Sequence, residues 1–237
     1  MARRRRTPLP RRDLEAVLEA FPHLRQSLLA DFDSCHLMTK FGLEGSPYTN
    51  AAQARGIIFH RTAAEILRTL RRTGEVRIPV AEALAILYEV AAQRDVPDDQ
   101  AVTVPAAERR LLRIATIKFA SENEFRMDRL IDVERELYAT VSYPAPGGGT
   151  VERVLKGTPD ALIADPPGGA IVLDWKTTLS PPARYAGEKT HDHPHGVSYV
   201  GYFQQRMYAL LVMRNYPSIE RVTLREFYPL AGEARTA

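Results

Sequence analysis

The hydrophobic pattern of this chain changes period near Ile131, and that change restricts the fold more than any other feature. Up to that point apolar residues recur at helical spacing. Leu14, Val17 and Leu18 share a face, Leu24–Phe41 continues the pattern to Gly42, and Phe59, Ala63, Ile66, Leu67 and Leu70 form the stripe of a long helix. Thr49 or Asn50 would cap that helix and Gly74 would follow its end, near Arg72. Pro79 opens a helix over Val80–Arg94, and Pro105 opens another that reaches about Phe125. Residues 13–125 therefore read as helical throughout. Beyond Ile131 the spacing is two: Val133, Arg135, Leu137, Ala139 and Val141 alternate with Glu134, Glu136, Tyr138 and Thr140, which predicts one strand. The turn 144–149, the strand Val151–Lys156, the segment Asp160–Ala164, the turn 165–169 and the strand Ala170–Lys176 extend this into an antiparallel meander. Val197–Asn215 predicts an amphipathic helix and Arg221–Tyr228 a further strand. The class is α/β: a basic tail over 1–12, a helical region over 13–130 and a sheet-bearing region over 131–237. A turn at Ala231-Gly232 calls for another strand beyond Ala237, which leaves room for truncation at the C-terminus.

Composition narrows the class of protein. The 237 residues are 45% hydrophobic and 26% charged, enough to close a core and remain an ordinary globular chain. No apolar run approaches the length of a bilayer span, and the arginine-rich start lacks the apolar stretch of a secretory signal. Cys35 is the only cysteine, so an internal disulfide is excluded and a reducing, cytoplasmic setting is expected. Net charge is only +3, but among the 32 Lys and Arg only Lys40, Lys118, Lys156, Lys176 and Lys189 are lysine. Arginine suits phosphate contacts, and Arg3–Arg6 with Arg11 and Arg12 are candidates for a nucleic-acid backbone. A Gly-rich phosphate loop and internal repeats are both missing, which argues against a built-in ATP motor.

The chemistry concentrates between Gly157 and Lys176. Asp160 begins one predicted strand and Asp174 lies near the end of the next, so a tight turn brings their carboxylates together. Asp174 and Lys176 are two apart and point to the same face. Ile171-Val172-Leu173 is apolar on both faces, as in a buried central strand, and charge at the end of such a strand needs a partner. Two carboxylates suit a hard divalent cation, and an adjacent ammonium suits developing negative charge, a set fitted to phosphodiester hydrolysis. Gln204 and Tyr208 share a helix face, and His60 lies beside the apolar stripe of its own helix. Glu134 lies on a strand that would border the carboxylates. His191, His193 and His195 alternate in a Pro- and Gly-containing loop, a weaker metal-binding pattern.

These motifs resemble the PD-(D/E)XK nuclease superfamily, in particular its RecB-like branch. His60 within RGIIFHRTAAEIL stands for the helical histidine, Gly157 to Asp160 for GxxD, Asp174 to Lys176 for D-x-K and Gln204 to Tyr208 for Q-x-x-x-Y, all in the family's order. The segment Gln26–Phe41 is similar to the branch's N-terminal serine–aromatic–cysteine segment, and the resemblance spans about residues 26–228. It implies a restriction-endonuclease-like core of mixed sheet flanked by helices. It implies a metal-dependent deoxyribonuclease, more often an exonuclease acting on ends or single strands, in recombination, repair, phage DNA processing or CRISPR adaptation. Asp160, Asp174 and Lys176 would be catalytic. His60, Asp160, Asp174 and the Trp175 backbone carbonyl would hold Mg²⁺ or Mn²⁺, and Gln204 and Tyr208 would support the site or contact DNA. Some relatives carry an iron–sulfur cluster on four cysteines, and with Cys35 alone no cluster is expected here. A helicase or recombination partner fits the same resemblance. The alternative reading is a catalytically inactive nuclease-fold subunit that binds DNA or a helicase.

Overall fold

The computed structural model describes residues 23–25, 51–92, 104–122, 127–144, 148–179 and 199–231, with backbone alone for 23–25, 143 and 199–205. Among the described residues, three helices follow the strand His23–Arg25: α1 (Ala51–Thr73), α2 (Val80–Ala92) and α3 (Ala106–Glu122). Gly74, with φ of 77°, ends α1 in the left-handed conformation and donates its N–H to the Leu70 carbonyl at 2.8 Å. The carbonyls of Pro79 and Pro105 accept the first-turn bonds of α2 and α3, so both prolines open helices as expected. None of the described helices is long and apolar enough to cross a membrane.

Among the described residues the strands form two sheets. One has the order β1-β4-β3, made of His23–Arg25, Thr150–Gly157 and Leu137–Pro144. The other has the order β2-β5-β6-β7, made of Leu130–Val133, Ala161–Asp165, Gly169–Trp175 and Arg221–Phe227. In the second sheet β2-β5 and β5-β6 are antiparallel and β6-β7 parallel, a mixed sheet. The remaining helix, α4 (Tyr199–Asn215), packs on β3, β4 and β7.

Three sequence expectations are corrected here. The segment after Ile131 is two strands, because the chain changes sheet between Val133 and Leu137: β2 pairs with β5 and β3 with β4. Glu134 makes the break with φ of 49° and donates its N–H to the Asp160 carbonyl at 3.0 Å. The single meander is thus split as well, since β4 and β5 pair with different neighbours. Nor is the stretch before Ala51 helical throughout: His23–Arg25 adds a parallel strand on β4, paired with Val154, Leu155 and Lys156. The open edge of β4 supplies hydrogen bonds that outweigh local helical spacing. The partner of β7 is β6.

Two apolar cores meet at the four-stranded sheet. On one face Phe59, Ile66 and Leu67 of α1, Leu87 of α2 and Phe119 of α3 pack with Ala161 and Trp175. On the other, Met207, Leu211 and Val212 of α4 pack with Leu137, Leu162 and Val172. Strand β6 is therefore covered on both sides, which explains its continuous run of apolar residues.

Candidate active site

Strand alternation places the site at the C-terminal end of β6. Ala170, Val172 and Asp174 continue the face beneath α4, and Trp175 turns to the opposite face, where its ring meets Phe119 edge-on at 5.1 Å between centroids. Asp174 is 3% exposed, the deepest charged group described. Lys176 Nζ stands 2.7 Å from Asp174 Oδ2, but off the hydrogen-bonding direction, so that buried oxygen has an ion pair and no hydrogen bond. Burial pushes the Asp174 carboxyl up to about 6; Lys176 pulls it down, while the charges of Asp160 and Glu226 reinforce the rise.

Asp160 is held from two sides. The Trp175 N–H donates to its Oδ2 at 2.7 Å, across the register that pairs Ala161 with Leu173. Its Oδ1 lies 2.8 Å from His60 Nδ1, which reaches the sheet from α1. A carboxylate accepts, so His60 donates through Nδ1 and directs Nε2 away from Asp160. Burial alone would lower the His60 pKa, but the hydrogen bond and charge of Asp160, with the charge of Asp174, raise it above the ordinary 6.5. The turn that carries Asp160 is anchored by Tyr208, whose hydroxyl donates to the Thr158 carbonyl at 3.1 Å. Gly157 is needed there: a Cβ would stand 2.6 Å from Leu211 and 3.3 Å from the Tyr208 ring.

The structure thus brings together His60, Asp160, Asp174, Lys176 and the Trp175 backbone, and places Tyr208 behind them. Gln204 lies in α4 one turn before Tyr208, and its side chain lies outside the described residues. Cys35, His191, His193, His195 and the N-terminal arginines also lie outside the described residues. Glu134 borders the site. Its carboxylate pairs with Arg68 at 3.2 Å, and burial raises its pKa, opposed by Arg68 and aided by Asp160.

Two neighbours escaped the sequence reading. Glu226 is registered beside Asp174 on the parallel strand β7. Arg55, 5% exposed, lies one turn before Phe59 on α1 and donates to the Thr177 carbonyl at 3.0 Å. Nothing local in the sequence marks either residue, because both meet the site through long-range packing.

A model of the PD-(D/E)XK nuclease superfamily matches residues 25–235. The chain belongs to that superfamily. Comparisons with curated proteins and with solved structures gave no match. Superfamily membership accounts for the mixed α/β fold, and members generally use divalent metals such as Mg²⁺ or Mn²⁺.

The donor set fits such an ion. A carboxylate–imidazole pair, Asp160 with His60, stands near a second buried carboxylate, Asp174, whose Oδ2 lacks a hydrogen bond. Both carboxylates already have protein partners: Lys176 on Asp174 and the His60 N–H on Asp160. Correspondingly, among the described residues no three acidic, histidine or cysteine side chains already surround one point.

Proposed function

We propose that this chain is a cytoplasmic, metal-dependent deoxyribonuclease that hydrolyses phosphodiester bonds at DNA ends or on single strands, in repair, recombination, phage DNA processing or CRISPR adaptation. One observation carries the reading: Asp160, Asp174, Lys176 and His60 converge at the end of β6, on a chain of the PD-(D/E)XK superfamily. Asp160, Asp174, the Trp175 carbonyl and the Nε2 of His60 would hold Mg²⁺ or Mn²⁺. Bound there, such an ion would polarise a phosphoryl oxygen and acidify the attacking water.

The protein's own groups have separate tasks. Lys176 is held near the phosphate position by Asp174 and supplies positive charge where the phosphorane oxygens become more negative. The Trp175 N–H and His60 fix the Asp160 carboxylate in one orientation, so little reorganisation accompanies reaction. Tyr208 holds the turn before Asp160, and Gln204, one turn earlier on α4, would support the site or meet the DNA.

The test is a time course on end-labelled linear and on circular DNA, single- and double-stranded, with Mg²⁺, Mn²⁺ or EDTA. Metal-dependent loss of linear substrate, abolished by EDTA, is expected. Protein that cuts none of these substrates with either metal would overturn the reading, and efficient cutting of circles would replace exonuclease with endonuclease action.

A further inference from the structure

We infer that Arg55 is a positioning residue for Lys176: it clamps the exit of β6 so that the ammonium stays on the Asp174 carboxylate. The inference rests on the nuclease reading for its catalytic consequence, but the clamp itself is a separate structural claim. Arg55 belongs to α1, and its guanidinium is buried between two other elements. One arm pairs with Glu108 in the first turn of α3. The other donates to the carbonyl of Thr177, the residue directly after Lys176.

The grip is two-sided. The Lys176 N–H donates to the Phe227 carbonyl of β7 at 2.9 Å, and the carbonyl of the following residue, Thr177, is taken by Arg55. Lys176 is therefore pinned between a neighbouring strand on one side and a cation on the other. The approach is close: a Cβ on Gly56 would stand 3.5 Å from Thr177 Oγ1. Since Thr177 lies past the last residue of β6, Arg55 substitutes for a strand neighbour at the point where sheet pairing ends.

The chemistry requires arginine. A planar guanidinium can serve a carboxylate and a carbonyl in fixed directions at once, whereas an ammonium is a point charge on a flexible stem. Glu108 neutralises the buried cation and sets the plane of the fork. A buried guanidinium needs acceptors beyond the Glu108 carboxylate, and the Thr177 carbonyl supplies one. That acceptor belongs to the residue directly after the lysine, which is what ties Arg55 to the site.

The test uses Arg55→Lys in the full chain, which keeps the Glu108 pair and loses the fork. Hydrogen exchange at the Lys176 amide is expected to accelerate about tenfold as the strand exit opens locally, with global melting close to that of the original protein. Cleavage of a linear DNA with Mn²⁺ is expected to lose about tenfold in kcat with KM within about twofold, as for a misplaced catalytic group. Original exchange at Lys176 would overturn the clamp. Faster exchange with unchanged kcat would overturn the positioning role, as would a loss of activity that merely follows the unfolded fraction. Should Arg55→Lys fail to fold, Arg55→Met combined with Glu108→Gln removes both charges and is read by the same two measurements. If the original protein cleaves no DNA, the nuclease reading fails while Lys176 exchange still decides the clamp.

Discussion

Two lysine–carboxylate pairs stand on the two sheets of this molecule, and they differ in what surrounds them. On the three-stranded sheet Lys156 pairs with Glu136, whose side chain is 51% exposed, beside the solvent-facing ring of Tyr138. On the four-stranded sheet Lys176 pairs with Asp174, whose side chain is 4% exposed. The first pair sits on a face where β3 alternates, with Leu137 and Ala139 buried and Tyr138 and Thr140 outward. The second ends a strand covered on both faces. Water screens the first, so it contributes little beyond local order. Removal from water changes the second: its carboxyl is lifted to about 6 by burial, and its charge acts on neighbours at full strength. Similar side chains thus yield a surface contact in one place and a buried pair at the candidate active site in the other, and burial of the strand end makes the difference.

The largest test of that contrast is a matched pair of alanine variants. Lys176→Ala is expected to lower the cleavage rate by about 10²- to 10³-fold, as when a charge-stabilising group is removed. Asp174→Ala should do the same with DNA binding kept or tightened, because a charge that repels phosphate is gone. Gel-shift and cleavage assays on one preparation separate the two effects, and full activity in both variants would end the assignment.

His60→Ala should have the next largest effect. Loss of a metal-facing imidazole is expected to weaken Mn²⁺ affinity and activity by about 10- to 100-fold, most visibly at low Mn²⁺. Activity of the original protein should also decline as pH falls through 6.5 toward 6, since His60, raised above 6.5, and Asp174, at about 6, both take up protons. Titration of Mn²⁺ at several pH values checks both statements, and a His60→Ala protein with unaltered Mn²⁺ dependence would make this histidine purely structural.

A smaller effect concerns stability. The Asp174 pKa is higher in the folded chain than the 3.8 of the unfolded one, so folding favours its protonated form. Stability from this group falls as pH rises from 3.8 through about 6 and stays low above that. The cost at neutral pH is on the order of 3 kcal/mol. Asp174→Asn is therefore expected to melt several degrees higher at pH 8, with the gain gone at pH 4. A melting temperature lowered at pH 8 would contradict the burial argument.

Lys156→Ala closes the series with the smallest expected effect. Its melting temperature and cleavage rate should both match the original protein. A large loss of cleavage would show that the outer face of the three-stranded sheet also serves the reaction, and the comparison drawn above would fail.

Much of the site was legible in local sequence because local rules suffice for it. A two-residue period puts Asp174 and Lys176 on one face, a turn at 165–169 sets β5 beside β6, and an apolar run over Ile171–Leu173 announces a buried strand. Helical spacing likewise laid out the stripe of α1 from Phe59 to Leu70. The change of sheet at Glu134 was not legible, because the alternation of apolar residues passes through the break without a fault. Its cause is the pairing of β2 with β5, a choice made between strands.

What the sequence by itself determined is the class of fold, the order of most elements and the identity of the charged groups at the end of β6. Side-chain period and turn residues act over a few positions, so they can be read from a few positions. Only the tertiary structure decided which groups became partners: His60 with Asp160, 100 residues apart, Arg55 with Thr177, 122 residues apart, and Glu226 beside Asp174. It also decided how strongly they interact. The degree to which each charge is withdrawn from water depends on the helices and strands that close over it, and that enclosure exists only once the chain has packed.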